Sequence, residues 1–187
     1  MKRKDLKIFK KIPTLTTERL ILRKINTNDL EDVFEYASDP SVTEFLLWYP
    51  HKSREYTKAY LKYLKRLYFR GKFYDWGIEI NGKIIGTVGF TSINLRDNSA
   101  EIGYVINSSY WGQGIAAEAI KEIIRFAFSV LKLDRICAVI ISKNERSAKV
   151  LSKCGFNLER NDNATMLIKG IYQNISTFSL INHSHFE

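Results

Sequence analysis

The chain of 187 residues predicts a single mixed α/β (α+β) domain, with about seven strands, mostly antiparallel, and about four helices. Three observations carry this. Residues 99–131 run strand, glycine-containing loop, helix, and the apolar run RICAVII at 135–141 follows as a strand buried on both faces and parallel to the one before the helix. Asn81-Gly82 separates two alternating segments, the strongest short-range hairpin signal, and places an antiparallel meander ahead of that unit. With 45% hydrophobic residues, the length suits one substantial core.

The elements follow in chain order. Lys2, Arg3, Lys4, Lys7, Lys10 and Lys11 make residues 1–13 a basic arm, either frayed and solvated or touching RNA phosphates. Residues 14–181 form the domain and 182–187 a tail. Arg19 to Ile25 alternates as a first strand. Asn26 to Asp29 caps a helix to about Ser38, with Leu30, Val33, Phe34 and Ala37 on one face, and Asp39-Pro40 ends it. A loop over 41–52 carries Trp48, Tyr49 and His51, which line a pocket or cover the core. Ser53 caps a longer helix to about Arg70. Tyr56, Tyr60, Tyr63/Leu64 and Leu67 are its expected buried stripe, and Lys58, Lys62 and Arg66 its basic one. Helical spacing sorts the aromatics and the basic residues onto different faces, which weakens an RNA-binding reading.

Phe73–Ile80 and Lys83–Phe90 are the hairpin strands, and Ala100–Ile106 the central strand. The helix from Ile115 has apolar residues at 115, 119, 123, 126/127 and 130. Asn144 opens a short helix over 145–154, ended by Gly155. Phe156–Arg160 and Gly170–Leu180 are the last strands, with a turn at Asn161, Asp162 and Asn163. His183 and His185 form an HxH pair in the tail, and no further ligands join it, so no metal site is expected.

The composition excludes several classes. There is no run of 18 apolar residues for a membrane helix, and no apolar segment follows the basic N-terminus, as a secretory signal would require. Cys137 and Cys154 read as buried thiols in a reducing, cytoplasmic setting, with one disulfide as the alternative. A net charge of +9 attracts polyanions, including nucleotide cofactors and nucleic acid.

The loop Gly112-Gln113-Gly114 heads a helix. The first N–H groups of a helix lack intrahelical partners, and its dipole is positive there, so an anion can dock where no β-carbon stands in the way. A phosphate or diphosphate fits, although a plain tight turn reads equally from GxG alone. The run also matches the dinucleotide fingerprint GxGxxA, but five residues separate Gly112 from the strand end. Asp134 also precedes the next strand instead of closing it, and an antiparallel hairpin stands where that fold needs a parallel strand.

Taken together, EIGYVI, YWGQGIAAEA and NERSAKVLSKCGF, in this order of elements, resemble the GNAT superfamily of acyl-CoA N-acyltransferases over residues 14–181. The wording is most similar to the branch that acetylates ribosomal-protein N-termini. The resemblance implies a fold in which the two central parallel strands splay apart. The pantetheine arm of acetyl-CoA lies in the gap against the backbone of Val105 and Ile106. The diphosphate sits on the N–H groups of Gly112, Gln113, Gly114, Ile115, Ala116 and Ala117, with Asn144 and Ser147 beside the cofactor. Two positions depart from the family pattern: Ser109 replaces a Gln or Arg at the loop, and Leu151 replaces the Tyr that protonates the leaving thiolate. Ser147 or a water is left for that task.

Transfer requires a neutral amine. At pH 7 an α-amine of pKa near 8 is about one-tenth neutral, a cost of roughly 1.4 kcal/mol, against roughly 4.6 kcal/mol for lysine. Glu101 matches the catalytic Glu of histone-acetylating members and is the expected base, acting directly or through water, or else holding the acceptor. The N–H of Val105 is the expected oxyanion donor. Direct attack in a ternary complex is favoured over an acyl-Cys137 route, because a thiolate in an apolar strand is disfavoured. Phe45, Trp48 and Tyr49 are expected to receive the acceptor. That acceptor is a ribosomal-protein N-terminus or a small amine or antibiotic. A non-catalytic CoA sensor and an RNA-binding module are the other classes, and the protein is expected as a monomer or homodimer.

Overall fold

The computed structural model describes residues 9–160 and 165–182. Among them lie nine strands: β1 (Leu15–Thr16), β2 (Ile21–Arg23), β3 (Asp75–Ile80), β4 (Lys83–Asn94), β5 (Ser99–Ile106), β6 (Arg135–Ile141), β7 (Asn157–Arg160), β8 (Thr165–Ile168) and β9 (Ile171–Ile181). There are five α-helices: α1 (Leu30–Ala37), α2 (Pro40–Thr43), α3 (Arg54–Phe69), α4 (Ile115–Ser129) and α5 (Glu145–Lys153). The sheet order is β1-β2-β3-β4-β5-β6-β9-β7, with β8 paired to β9 at the side. The β5–β6 pair is parallel and the others are antiparallel.

Alternation along the strands divides the core. Ile84 and Ile85 are neighbours on β4 with side chains on opposite faces. Ile84 joins Ile25, Val33, Tyr36, Leu61, Leu64 and Tyr68 beneath α1 and α3. Ile85 joins Trp76, Val88, Phe90 and Ile102 beneath Ile120, Ile123 and Phe126 of α4. The sheet is therefore covered on both faces, and the apolar periodicity of each helix is what seats it there.

Several expectations are met. The hairpin turns at Asn81 (φ 50°) and Gly82 (φ 78°), and Asn26 with Asp29 forms a capping box. Arg23 holds Asp29 at 2.8 Å and also pairs with Glu79, tying β2, the entry to α1 and β3 together.

Other expectations are corrected. Two short strands, β1 and β8, raise the count above seven. The 41–52 segment begins inside an extra helix, α2, because Asp39 caps it through the Ser41 N–H and Pro40 stands in its first turn, where proline's missing N–H costs nothing. The buried stripe of α3 is Thr57, Leu61, Leu64 and Tyr68, while Tyr56 is 56% and Tyr63 50% exposed. With tyrosines at so many positions, hydrophobicity alone left the stripe's phase one residue off. Tyr68 donates its hydroxyl to the Asp75 carbonyl at 2.8 Å.

The expected solvated arm also differs where it can be seen. Residues 9–11 form a 3-10 turn, and Phe9 is fully buried, edge-on to Tyr74, Trp76, Phe90 and Phe126. The expected turn at 161–163, the HxH pair and the remainder of the arm lie outside the described residues. Phe9→Ala should cost about 3–5 kcal/mol, to be measured by denaturant unfolding.

Candidate active site

The site is built where β5 and β6 part. Their register is Ser99 with Arg135, Ala100 with Ile136 and Glu101 with Cys137, and no pair follows. Each strand keeps its other neighbour. β5 remains paired to β4 out to Ile106 with Gly86, and β6 to β9 along all seven residues. From Ile102 onward the edge of β5 that faces β6 has no strand partner among the described residues. Unpaired backbone N–H and C=O groups next to a cavity are a ready template for an extended polar chain.

Two cavities open along this fork. One, of about 290 Å³, is lined by Phe45, Trp48, Asp75, Thr91, Glu101, Gly103, Tyr104 and Val105, among others. The second, of about 340 Å³, runs past Val105, Ile106, Trp111, Gly112 and Gly114 to Ile115, Ala116 and Ala117. Tyr104, Val105, Asn144 and Ser147 border both.

At the far end of the second cavity Gly112 and Gly114 both have φ +77°. A β-carbon on Gly112 would meet nothing within 4 Å, and one on Gly114 only Arg19 Nη2 at 3.7 Å. Side chains therefore leave this cradle open. Gly114 is the N-cap of α4 and makes no side-chain cap bond, and the N–H groups of residues 112–117 donate to no backbone carbonyl among the described residues. Such a set of free donors at a helix start fits a diphosphate. The loop ahead is braced from several sides. Buried Asn107 receives the Ser109 N–H at 3.0 Å and donates to Glu35 at 2.8 Å. Ser108 donates to Asp39 at 2.7 Å, which holds that carboxyl below the usual range. Trp111 donates to the Ile106 carbonyl at 2.9 Å.

Gln113 turns its amide back to the Ser109 carbonyl at 3.1 Å. Its own carbonyl accepts from Arg19 at 3.1 Å, and Arg19 also pairs with Glu118 at 2.7 Å. Ser109, where a longer polar residue was expected, thus still closes the loop through its backbone. Cations that sequence reading passed over stand on α5: Arg146 lies 3.7 Å above the Trp111 ring, and Lys149 and Lys153 border the same cavity. Their i, i+3, i+7 spacing was the available signal.

In the first cavity Glu101 accepts the Thr91 hydroxyl at 3.0 Å. Asn144 caps α5 through the Ser147 N–H at 3.1 Å, so its capping role is real beside any cofactor contact. Tyr104, also passed over, donates its hydroxyl to the Ser147 carbonyl at 3.4 Å, and burial pushes it up to about 12. Leu151 is fully buried in the core, so that departure serves packing. Phe45 and Trp48 line the cavity. Tyr49 does not: it is 63% exposed and donates to the Lys169 carbonyl at 3.1 Å. Its neighbour His51 is a buried anchor, with Nδ1 at 2.8 Å from the Thr57 hydroxyl and its pKa lowered by burial. Cys137 and Cys154 are free thiols. Burial, then the charge of Glu101, raises the Cys137 pKa and disfavours its thiolate.

Comparison with known proteins agrees with this geometry. Residues 19–157 match the model of the acetyltransferase (GNAT) domain. The uncharacterized N-acetyltransferase YoaA of Bacillus subtilis is 34% identical over 171 residues, covering 90% of this chain and 97% of that one. The spermidine N(1)-acetyltransferase of Escherichia coli is 24% identical, covering 88% and 87%. The crystal structure of the ribosomal-protein-S5-alanine acetyltransferase of Vibrio fischeri superposes with a TM-score of 0.73 at 28% identity, covering 92% of this chain and 98% of that chain. A parallel pair that forks after three residue pairs, an open glycine cradle at a helix start and a family match across most of the chain reach one conclusion: this protein belongs to the GNAT family of acetyltransferases.

Proposed function

We propose that the protein moves the acetyl group of acetyl-CoA directly to a primary amine in a ternary complex, with the N-terminal α-amine of a ribosomal protein as the acceptor. The observation that carries the reaction type is the fork itself, with Glu101 at the last paired position. The ribosomal acceptor rests on the likeness to the S5-alanine enzyme.

Acetyl-CoA supplies an activated thioester carbonyl. The chain's part is to hold it and to prepare the amine. The free edge of β5 at Val105 and Ile106 receives the pantetheine amides, and the N–H groups from Gly112 to Ala117 receive the diphosphate, with Arg146 and Lys149 adding positive charge. An N–H on the unpaired edge of β5 faces the developing oxyanion; the Val105 N–H, expected for this, turns toward Thr87 of β4. Glu101 meets the incoming ammonium beside Phe45 and Trp48, and Ser147 with Tyr104 brackets the leaving sulfur. No helix among the described residues is long and apolar enough to cross a membrane, and the free thiols suit a reducing, cytoplasmic setting. Contact with nucleic acid is incidental to this role.

A second acceptor class has its own support. The first cavity is partly enclosed by residues 45–48 on one side and by Met166 and Ile168 of β8 on the other, and carries two carboxylates, Asp75 and Glu101. That shape and charge suit a small cationic amine, and one relative is a spermidine acetyltransferase.

Acetyl-CoA at a hundred times its dissociation constant should add about 2.7 kcal/mol of stability, read as a rise in melting temperature; an unmoved transition would exclude this cofactor. Arg146→Glu, on an exposed helix face, should weaken acetyl-CoA about tenfold, or ~1.4 kcal/mol, by calorimetric titration. Glu101→Gln should lower kcat at least tenfold while acetyl-CoA affinity holds, as measured by thiol release. Unchanged turnover would remove Glu101 from the mechanism.

A further inference from the structure

We infer that Asp75 is the group that takes the proton from the acceptor ammonium, and that Glu101 only orients it. This rests on the acetyltransferase reading above and adds a catalytic residue that its motifs do not contain.

The placement comes from the register. Asp75 pairs with Gly89, and Gly89 pairs with Gly103. The three lie in one row across β3, β4 and β5, on the face that carries Thr87, Glu101 and Val105 into the cavity. Two of the three have no side chain. No β-carbon therefore stands in the row between the Asp75 carboxyl and β5, and the Thr91 methyl lies close over Gly103, 2.8 Å from where a β-carbon would be.

The Asp75 carboxyl reaches toward β4: a β-carbon on Gly89 would stand 2.4 Å from its Oδ1, and also 2.3 Å from the Tyr74 carbonyl oxygen and 2.5 Å from the Asp75 Cα, and these backbone contacts exclude a side chain there. Strands lie about 4.8 Å apart, so β3 and β5 are roughly 9.6 Å apart. A carboxyl that reaches over β4 leaves about 5 Å to β5, and the reacting carbonyl lies at the far edge of that strand, so the acceptor amine, alone or with one bridging water, spans from the Asp75 carboxyl across β5.

The surroundings suit the task. Asp75 borders the cavity, and its carboxyl oxygens are given no hydrogen bond or ion pair by any described residue, unlike Glu101, which already holds Thr91. The titratable neighbours are Tyr36 from α1 and Tyr60 and Tyr68 from α3, with Glu101 lining the same cavity and Lys24 over the Tyr68 ring, 5.0 Å from its centre. Burial keeps all three tyrosines protonated. No cation reaches Asp75 directly among the described residues, and burial pushes its pKa up to about 7, where a base serves best at neutral pH.

The step balances. The amine enters as an ammonium and gives one proton to the Asp75 carboxylate. Its freed lone pair forms the C–N bond to the acetyl carbon as the C–S bond breaks. The second nitrogen proton ends on the departing sulfur, and Asp75 returns the first to solvent.

The test compares wild type, Asp75→Asn and Glu101→Gln between pH 5.5 and 9, using acetyl-CoA with spermidine, benzylamine and a serine-initiated peptide as probes. Wild type and Glu101→Gln should show a rate that rises through about pH 7. Asp75→Asn should lose that limb and at least a hundredfold in kcat, with acetyl-CoA affinity kept. Gly103→Leu, which leaves Asp75 in place but blocks the row and displaces Thr91 beside it, should also lower kcat.

A readout without turnover is thermal unfolding. A carboxyl whose folded pKa is raised binds a proton in the native state that the unfolded chain has released. Wild type therefore loses stability relative to Asp75→Asn as pH rises from about 4 to 7, and the variant should melt higher at pH 8. A retained limb at full turnover in Asp75→Asn, or parallel melting curves at all pH, overturns the assignment to Asp75 alone. Thiol release by wild type with none of the three probes overturns amine acetylation and this role together.

Discussion

Two strands that begin as partners and then separate are the constraint on which the rest depends. β5 and β6 share three residue pairs and then part, each staying paired to its outer neighbour, β5 to β4 with a bulge between Phe90 and Ser92 at the level of the fork, and β6 to β9. A backbone edge inside a fold is costly to leave bare, so its geometry selects something that can stand in for a strand. Everything nearby serves that vacancy. The Trp111 indole pins the end of β5, α4 starts where the edge stops, and α5 closes the opposite wall.

Charge is divided along the same fork. The cations of α5 and the open N–H groups at the start of α4 lie at one end, the proposed place of the anionic cofactor. Asp75 and Glu101 lie at the other, the proposed place of the acceptor ammonium. A net charge of +9 therefore says little about the acceptor, because the surface that meets it is locally acidic. Long-range attraction of polyanions and a locally acidic cavity are compatible on one molecule.

The enclosed side of the acceptor cavity is made by chain segments far apart in sequence. Lys169, at the tip of the β8–β9 hairpin, donates to the Thr43 carbonyl at 2.5 Å and lies over the Tyr49 ring. This contact joins the end of α2 to the hairpin and sets how wide the entrance is. It also explains why Tyr49 is on the rim while Phe45 and Trp48 point inward.

Much was legible from local pattern: the Asn81-Gly82 hairpin, the helix phases of α1 and α4, the glycine loop and the parallel pair all follow from periodicity and turn chemistry, which act over a few residues. The phase of α3, the helix at Pro40 and the burial of Phe9 were not, because each depends on what the chain packs against. The same division runs through the site. Sequence alone determined the cradle of N–H groups proposed for the cofactor, since it is written in consecutive residues. Only the tertiary structure decided the row proposed for the acceptor, since Asp75, Gly89 and Gly103 come together solely through strand register, and a carboxyl's environment is set by the neighbours that exclude water from it.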